Sequence, residues 1–462
     1  MQSVLLTLTA SFNPLASTPT TATTSMGEGG FLTIVNGGPV DWTLSYTHSY
    51  QMPAWSWPAT IPAGNSTPVY IEWDTNLNYD LSDDGGEASY TLPTGEAFQI
   101  QARAPGRKFN LQVILDGITT QGNAKGSTIS LGWDHGGYVN WILSGGEGWY
   151  SSSNPPPDWM AQNLARLGSK SLKQITIPGS HDAGMGVFHR GTTFSTAANT
   201  QTQRLTLGDQ LRAGSRYFDL RPVISEGVYK AGHYDYIDAL ESWQGGNGQT
   251  IAEIIQQINA FTALNKELII LNFSHDYNTD VGNDSYRSFT QAEWDTLLEQ
   301  LAELDNLWVA PGDPTTIDLT TVKLSDFIGG GRAAILVIVE PSSVDLGGWT
   351  TQGFYKYSQF NVYNDYSDTN DANTMSQDQS GKMAMQKPQG TYFLLSWTLT
   401  QDAEQVIVGP SILSLADHVN QLLYLRLMQA STATVFPNIL YVDAFTSQVT
   451  ALAMALNNWF EG

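Results

Sequence analysis

The chain has 462 residues, of which 41% are hydrophobic and 11% aromatic, so we expect two folded domains rather than one small module or a disordered chain. Its net charge of −23, from 44 acidic and 21 basic residues, argues against a nucleic-acid partner, because binding to phosphates needs basic surfaces. The chain has no cysteine, which excludes disulfides, thiol nucleophiles and Cys-ligated metal clusters. Any chemistry must therefore use histidine, carboxylate or hydroxyl groups.

The first residues carry an alternating apolar pattern. Residues 1–12 place their apolar side chains on one face at period two and have no Lys or Arg before the apolar core, so we predict a first strand rather than a signal peptide. No apolar run in the sequence is long enough to span a bilayer. A polar, acidic surface without cysteine suits an extracellular protein, but cytoplasmic residence stays an equal alternative.

Residues 1–150 have the pattern of an all-β domain. They contain seven of the fourteen tryptophans and short alternating stretches, such as residues 31–35 and 69–73, that are separated by turn signals. We therefore predict a β-sandwich that serves as an accessory or binding domain. Residues 151–158 (SSSNPPPD) are predicted to form a stiff linker.

Residues 159–462 alternate apolar strands with amphipathic helices, which is typical of a parallel sheet. Eight strands in about this length predict a distorted TIM-type (β/α)8 barrel. The predicted strands are residues 174–177, 216–220, 267–273, 307–309, 333–339, 359–363, 392–397 and 439–443. The predicted helices lie near residues 204–212, 250–264, 290–304, 412–430 and 446–459.

Polar residues follow the predicted strands, at the edge where such barrels place their active sites. These residues are His181, Asp182, Asp219, Arg221, His275, Asp276, Glu340, Asp365, Trp397 and Asp443, with His233 on a short return segment. Two imidazoles can act as base and acid, an arginine can hold an anion, and carboxylates can orient the imidazoles. This set suits the cleavage of a phosphodiester without a metal ion.

Four motifs resemble a known family. Residues 177–182 (IPGSHD), 214–221 (GSRYFDLR), 232–233 (GH) and 268–275 (LIILNFSH) resemble the X domain of phosphatidylinositol-specific phospholipase C and related phosphodiesterases, chiefly of the bacterial and fungal type. The resemblance covers about residues 159–460. It implies a phospholipase C-like enzyme that cleaves a phosphoinositide to an inositol cyclic phosphate and a diacylglycerol. It also implies a phospholipid or other phosphodiester substrate and, in consequence, contact with a membrane surface.

The resemblance implies a role for each matching residue. His181 would be the general base, supported by Asp443, and His233 the general acid, oriented by Asp182. Arg221 would hold the phosphoryl oxygens. Residues expected to bind substrate are Asp219, His275, Asp276, Glu340, Asp365, Tyr366 and Trp397.

Two departures from the family pattern bear on metal and head group. Calcium-dependent relatives carry further acidic or amide ligands at positions where this chain has Asp182, Arg221 and Ser274, so we expect a reaction without a metal ion or other cofactor. Bacterial enzymes place a basic residue where this chain has Glu340. Phosphatidylinositol, a GPI anchor, a lysophospholipid and a non-lipid phosphodiester therefore stay open as substrates. The alternative function is a non-catalytic, toxin-like protein that binds lipid or glycan and uses the barrel as a scaffold.

Overall fold

The computed structural model describes residues 28–460, apart from residues 77, 79, 134, 135, 403, 404, 407 and 408. The strand predicted at residues 1–12 lies outside the described residues. No helix in the described part of the chain is both long and apolar enough to cross a membrane.

The N-terminal part consists of two sheets. The described residues between 28 and 150 contain no α-helix. The strands are β1 Glu28–Gly37, β2 Trp42–Tyr50, β3 Ala54–Trp55, β4 Thr60–Ile61, β5 Ser66–Trp73, β6 Gly85–Thr91, β7 Ala97–Arg103, β8 Asn110–Ile114, β9 Thr128–Gly132, β10 Tyr138–Ser144 and β11 Ser151–Ser152. One sheet has the order β11-β10-β1-β5-β3, and the other has the order β4-β2-β6-β7-β8-β9. Side chains of both sheets, including Ile34, Phe98 and Trp141, share one buried cluster. The sandwich itself and its boundaries stay predictions, and β11 lies within the predicted linker.

The C-terminal part is built on an eight-stranded parallel sheet. Its strands are β12 Ile177–Ser180, β14 Tyr217–Leu220, β18 Leu268–Phe273, β20 Ala334–Val339, β21 Phe354–Lys356, β22 Val362–Tyr363, β23 Tyr392–Trp397 and β24 Ile439–Val442. Their order is β21-β20-β18-β14-β12-β24-β23-β22, which follows the chain around a curl. Among the described residues, no backbone pairing joins β21 to β22. The mixed α/β class with a curled parallel sheet is confirmed, and complete closure of the barrel stays a prediction.

Side chains alternate in direction along these strands. One set faces the concave side of the curled sheet, and the other set faces its convex side. Side chains of all eight strands meet in one cluster on the concave face, for example Ile177, Leu336 and Tyr441. Residues of opposite parity pack beneath helices, as Phe218 and Val337 do. Gly179 lies where an added Cβ would come within 2.9 Å of Ile439, so its lack of a side chain lets β12 approach β24.

A second, five-stranded sheet lies beside the first. It contains β13 His189–Arg190, β15 Pro222–Ser225, β16 Val228–Ile237, β17 Ser242–Thr250 and β19 Tyr277–Asn278, in the order β13-β17-β16-β15-β19. The sequence pattern indicated only a short return segment here. The longer hairpin of β16 and β17 carries His233.

The part of the chain that the structure describes contains ten α-helices. They are α1 Trp159–Gln162, α2 Leu164–Leu167, α3 Ala197–Thr200, α4 Leu207–Ala213, α5 Ile251–Leu264, α6 Gln291–Leu301, α7 Leu324–Ile328, α8 Ala372–Gln386, α9 Ile412–Ala430 and α10 Ser447–Trp459. Thr250 and Glu253 form a capping box that starts α5, as predicted. The sequence did not predict α8, because its buried side chains include the polar Ser376 and Gln379 and give no clear apolar stripe.

One predicted strand was wrong. Residues 307–309 form only an isolated bridge, from Leu307 to Ile335. The fifth strand is instead β21, a three-residue segment too short to give an alternating pattern. Residues 333–339 therefore contain the fourth strand, and Glu340 follows the fourth strand rather than the fifth.

The N-terminal sheets contact the last helices. Val35 of β1 and Ile142 of β10 belong to the same buried cluster as side chains of α9 and α10. The Arg166 guanidinium lies 3.5 Å above the ring of Trp149. The shared cluster is apolar and buried, so we expect the two parts of the chain to stay together.

Candidate active site

His181 and Asp443 come together because their strands are neighbours. β12 pairs with β24, and the main-chain nitrogen of His181 donates to the carbonyl of Val442. The two side chains then lie side by side, with Nδ1 of His181 2.7 Å from Oδ1 of Asp443. Nδ1 carries the proton in this arrangement, because an ionised carboxylate can only accept. Nε2 of His181 is thereby left as the basic nitrogen.

The surroundings of His181 set its basicity. Burial lowers the pKa of His181, and the nearby charge of Arg221 lowers it further. The charge and hydrogen bond of Asp443 act in the opposite direction together with the charge of Asp219, and the net result is a raised pKa of His181. A raised pKa makes the neutral imidazole a stronger base.

Arg221 connects His181 to a buried carboxylate. Its Nη2 donates to Nε2 of His181 at 2.7 Å, and its Nε donates to Oδ2 of Asp219 at 3.2 Å. Burial alone would raise the pKa of Asp219, but the charge of Arg221 holds it well below its usual range. The positive charge of Arg221 is thus fixed beside the base.

Asp219 organises this part of the site. Its carboxylate accepts hydrogen bonds from the hydroxyls of Tyr441 at 2.7 Å and Ser274 at 2.8 Å. It also accepts from the main-chain nitrogen of Asp182 at 3.2 Å. A carboxylate with this many donors holds its neighbours in place, and its expected role in binding substrate stays a prediction.

His233 reaches the same region from the second sheet. Its Nδ1 lies 2.8 Å from Oδ2 of Asp182, whose side chain is fully buried. Asp182 adopts a φ of 39°, in the left-handed region that few residues other than glycine visit. Because Asp182 follows His181 directly, one turn of chain presents the first imidazole and the carboxylate that binds the second.

Glu340 and His275, both expected to bind substrate, lie beside the residues around Asp219. Glu340 accepts from Asn272 at 2.9 Å, and burial together with the charge of Asp219 raises its pKa. His275 Nδ1 lies 2.9 Å from the Ser274 hydroxyl, which in turn bonds Asp219. These two residues therefore border the site.

Asp365 and Tyr366 lie in an exposed loop. Asp365 forms an ion pair with Lys382 at 3.1 Å, and Tyr366 is 57% exposed. None of their hydrogen bonds or ion pairs in the described part of the chain reaches the two histidines. Their role in binding substrate stays a prediction.

The structure does not bring Asp276 and Trp397 to the site. Asp276 accepts from the main-chain nitrogen of Phe289 and the indole of Trp294, so its carboxylate anchors the start of α6. Trp397 lies on the convex face, where its indole donates to the carbonyl of Val419 at 2.8 Å. The sequence predicted that Trp397 ends a strand. It did not show on which face of the sheet the side chain of a single tryptophan would lie.

Sequence reasoning missed Tyr441 and Asn272. Tyr441 lies two residues before Asp443, and Asn272 lies two before Ser274, so period-two alternation assigns each to the same face as a residue already considered. The ring of Tyr441 also packs against His181, with ring centroids 5.2 Å apart. The signal available in the sequence for both residues was a polar side chain within an otherwise apolar strand.

No family model matches this chain. A PI-PLC X-box domain-containing protein of Dictyostelium discoideum is 26% identical over 137 residues, which cover 27% of this chain and 17% of that protein. PI-PLC X domain-containing protein 2 of Mus musculus is 31% identical over 143 residues, which cover 27% of this chain and 40% of that protein. The match thus spans less than half the length of either relative.

Solved structures of bacterial phosphatidylinositol-specific phospholipase C are also similar. That of Staphylococcus aureus aligns over 66% of this chain and 99% of its own, with a TM-score of 0.47 and 14% identity. That of Listeria monocytogenes aligns over 65% of this chain and 98% of its own, with a TM-score of 0.44 and 19% identity. The two curated relatives carry the X-domain name, so the resemblance to PI-PLC X-domain proteins that the motifs predicted is confirmed as a similarity over about a quarter of this chain.

Proposed function

We propose that this chain is a phosphodiesterase of the phospholipase C type that acts without a metal ion on a phosphoinositide or a related phosphodiester. The observation that carries the proposal is the pairing of two imidazoles with two carboxylates around one guanidinium. His181 has Asp443 on one nitrogen and Arg221 on the other, and His233 is bound to Asp182. Such a set supplies a base, an acid and a fixed positive charge.

The first half of the reaction forms a bond to phosphorus. A hydroxyl of the head group next to the phosphodiester gives its proton to Nε2 of His181, and its oxygen attacks phosphorus. Arg221 now contacts that nitrogen, so the substrate hydroxyl takes its place while a phosphoryl oxygen becomes the new acceptor for the guanidinium. Binding of the phosphate thus draws Arg221 away from Nε2 of His181 and frees this nitrogen to act as the base in the same step.

The second half breaks the bond to the leaving alcohol. His233, protonated and held by Asp182, gives its proton to the departing oxygen. The products are a cyclic phosphodiester of the head group and, for a phosphoinositide, a diacylglycerol. His181 then carries one proton and His233 has lost one, and transfer through solvent restores both.

The charge of Arg221 is our reason for proposing a reaction without calcium. The guanidinium lies between His181 and Asp219, and a divalent cation in the same place would be repelled by it. The pKa of Arg221 is raised by the charge of Asp219, which outweighs burial, so its charge is retained at every accessible pH. The donor set of the site therefore fits an arginine and not a calcium ion.

We also propose that the two N-terminal sheets form an accessory β-sandwich. They contact α9 and α10 through a buried cluster that also contains side chains from the convex side of the parallel sheet.

The test is the release of a cyclic phosphate from a soluble inositol phosphodiester by the purified protein, followed by phosphorus NMR. We expect a cyclic product with and without chelator. A folded protein that gives no product from any of the four substrate classes would overturn the proposal and favour a lipid- or glycan-binding scaffold. Activity that chelator removes and calcium restores would overturn the metal-independent step alone.

A further inference from the structure

A row of polar side chains leads away from Arg221 across the carboxyl ends of neighbouring strands. Asp219 of β14 and Asn272 of β18 are register partners, and Glu340 continues the ladder by donating from its main-chain nitrogen to the carbonyl of Phe273. By alternation with the apolar residues of these strands, all three side chains face the concave side. Since neighbouring strands lie about 4.8 Å apart, Glu340 follows a strand about 10 Å from the one that carries Arg221. A ring whose phosphodiester is held at Arg221 can therefore reach Glu340 with its far hydroxyls.

The carboxylate of Glu340 is held in place without a counter-charge. Nδ2 of the buried Asn272 donates to Oε2 of Glu340 at 2.9 Å, and the amide has this orientation because an ionised carboxylate can only accept. The guanidinium of Arg221 is paired with Asp219, and the described part of the chain contains no ion pair of Glu340. Because Glu340 is only partly buried, its carboxylate can accept further hydrogen bonds from a ligand.

Two tyrosine hydroxyls in this part of the site are already used as donors. Burial raises the pKa of Tyr357, and the charge of Glu340 raises it further, so these two side chains are close. The Tyr357 hydroxyl nevertheless donates to the carbonyl of Val362 at 3.0 Å. The Tyr441 hydroxyl donates to Asp219 at 2.7 Å. Neither hydroxyl therefore offers its proton to a phosphate group on the ligand.

His275 adds a neutral acceptor. The Ser274 hydroxyl gives its one proton to Oδ1 of Asp219 at 2.8 Å, because the carboxylate can only accept. The Ser274 oxygen must then accept from Nδ1 of His275, which lies 2.9 Å away. This contact fixes the tautomer, with the proton on Nδ1 and a lone pair on Nε2. Burial and the charge of Arg221 lower the pKa of His275, so the ring is neutral at neutral pH.

The backbone of His275 supports a role in binding. Its φ is 48°, in the left-handed region that favours glycine. Strained residues of this kind cluster at active sites and ligand-binding positions, where the surrounding contacts maintain them. The bond to Ser274 is such a contact, since it ties the exposed imidazole to the residues around Asp219.

We propose that Glu340 and His275 form a head-group subsite that accepts hydrogen bonds from the free hydroxyls of a polyol and excludes a head group that carries a second phosphate. This inference rests on the proposed function, because it takes the phosphodiester to be held at Arg221. A hydroxyl can donate to either acceptor. A phosphate monoester instead brings about two negative charges to a carboxylate that has no cation beside it. The subsite thus selects its ligand by repulsion as well as by attraction.

The experiment compares two soluble diesters as substrates of the full chain. One is glycerophosphoinositol, and the other is the same diester with a phosphate monoester on the ring carbon opposite the diester. We expect kcat/KM of the wild-type protein to be at least about tenfold higher for the first, because the added charges meet Glu340. The readout is the ratio of the two kcat/KM values, which is independent of the amount of active protein.

Variants separate charge from shape. Glu340→Gln keeps the size of the side chain and an oxygen for Asn272 but removes the charge, so the ratio should fall at least about fivefold. Glu303→Gln makes the same change at an exposed position after α6 and should keep the wild-type ratio. His275→Phe removes the neutral acceptor and should raise KM for glycerophosphoinositol several-fold with a smaller change in kcat. This variant gives an independent result if Glu340→Gln does not fold.

The outcomes distinguish the subsite from the reaction itself. A wild-type protein that cleaves both diesters equally well, or a folded Glu340→Gln protein with the wild-type ratio, would overturn the subsite and leave the proposed function standing. A folded protein that cleaves neither diester but cleaves another of the substrate classes named above would also overturn this inference alone. A folded protein that cleaves none of them would overturn the proposed function as well.

Discussion

At the scale of single residues, the two imidazoles differ in what contacts the second ring nitrogen. Nε2 of His181 accepts from Arg221, whereas Nε2 of His233 has no hydrogen-bond partner in the described part of the chain. The first nitrogen is therefore held in its basic, unprotonated form by a cation. The second is available to carry a proton toward a leaving group. The proposed roles of base and acid rest on this asymmetry.

Removing either imidazole should nearly abolish turnover. We expect His181→Ala and His233→Ala each to lower kcat on the order of 10² to 10⁴-fold, because each takes away one proton transfer. The exposed His189 gives the matched control, and His189→Ala should keep wild-type activity. Initial rates on a soluble inositol phosphodiester measure the effect, and circular dichroism checks the fold. Near-wild-type activity of either variant would exclude that residue as base or acid.

The charge of Asp443 should be visible in the pH dependence. His181 must be neutral to act as base, so activity falls as the pH drops through its raised pKa. Asp443→Asn removes the charge and the hydrogen-bond acceptor that raise this pKa. We expect the acidic limb of kcat/KM to move to lower pH and the maximum rate to fall at least tenfold. Asp417→Asn, which removes an exposed carboxylate paired with Arg204, should leave the limb unchanged, and an unmoved limb in Asp443→Asn would contradict the pairing.

At the scale of elements, a buried ion pair joins the starts of two neighbouring strands. Arg216 Nη2 lies 2.8 Å from Oε2 of Glu267, and both side chains are fully buried. The same carboxylate accepts from the main-chain nitrogens of Met160 and Ala161, at 3.1 and 2.8 Å, so α1 is tied to β14 and β18. This network lies at the amino ends of the strands, opposite the candidate active site. It stabilises the fold and does not take part in the proposed chemistry.

Breaking this pair should destabilise the protein strongly. Arg216→Met leaves the Glu267 carboxylate buried without its cation, which should lower the free energy of unfolding by about 3 to 5 kcal/mol. Arg212 pairs with Asp209 at the surface, where the two side chains are 63% and 44% exposed, so Arg212→Met should cost about 1 kcal/mol or less. Urea unfolding compares the two variants. Equal losses would mean that the buried pair contributes no more than an exposed one.

At the scale of the whole molecule, a net charge of −23 opposes the approach to an anionic membrane. The most basic stretch of the N-terminal part, near Arg103, Arg107 and Lys108, is partly neutralised, because Arg103 pairs with Glu87 at 2.6 Å. Under the proposed function, the site must therefore bind an anionic substrate by local contacts, against the field of the rest of the protein.

Salt should accordingly speed the reaction on anionic vesicles. Raising the ionic strength from about 10 to about 150 mM shortens the Debye length from about 30 to about 8 Å. We expect a several-fold higher rate on anionic vesicles and little change on a soluble substrate or on the same lipid diluted in zwitterionic vesicles. Rates measured across this range provide the test. A steep fall with salt would instead identify a basic docking surface around Arg107 and Lys108.

The sequence by itself determined the chemical groups and much of the local structure. Predominantly apolar runs predicted β18 and β20, because buried parallel strands need apolar side chains on both faces. The Thr250 and Glu253 capping box predicted where α5 starts, because those contacts are local in the chain. The histidines and acids of the candidate site were identified for the same reason, since they end strands or belong to short motifs.

Only the tertiary structure decided which of these groups meet. His181 and Asp443 are 262 residues apart, and no spacing along the chain shows that β12 and β24 are neighbours. The placement of Trp397 and Asp276 was decided in the same way, by packing against helices that follow later in the chain. Local order follows from neighbouring residues, whereas a site assembled from distant strands depends on how the sheet curls.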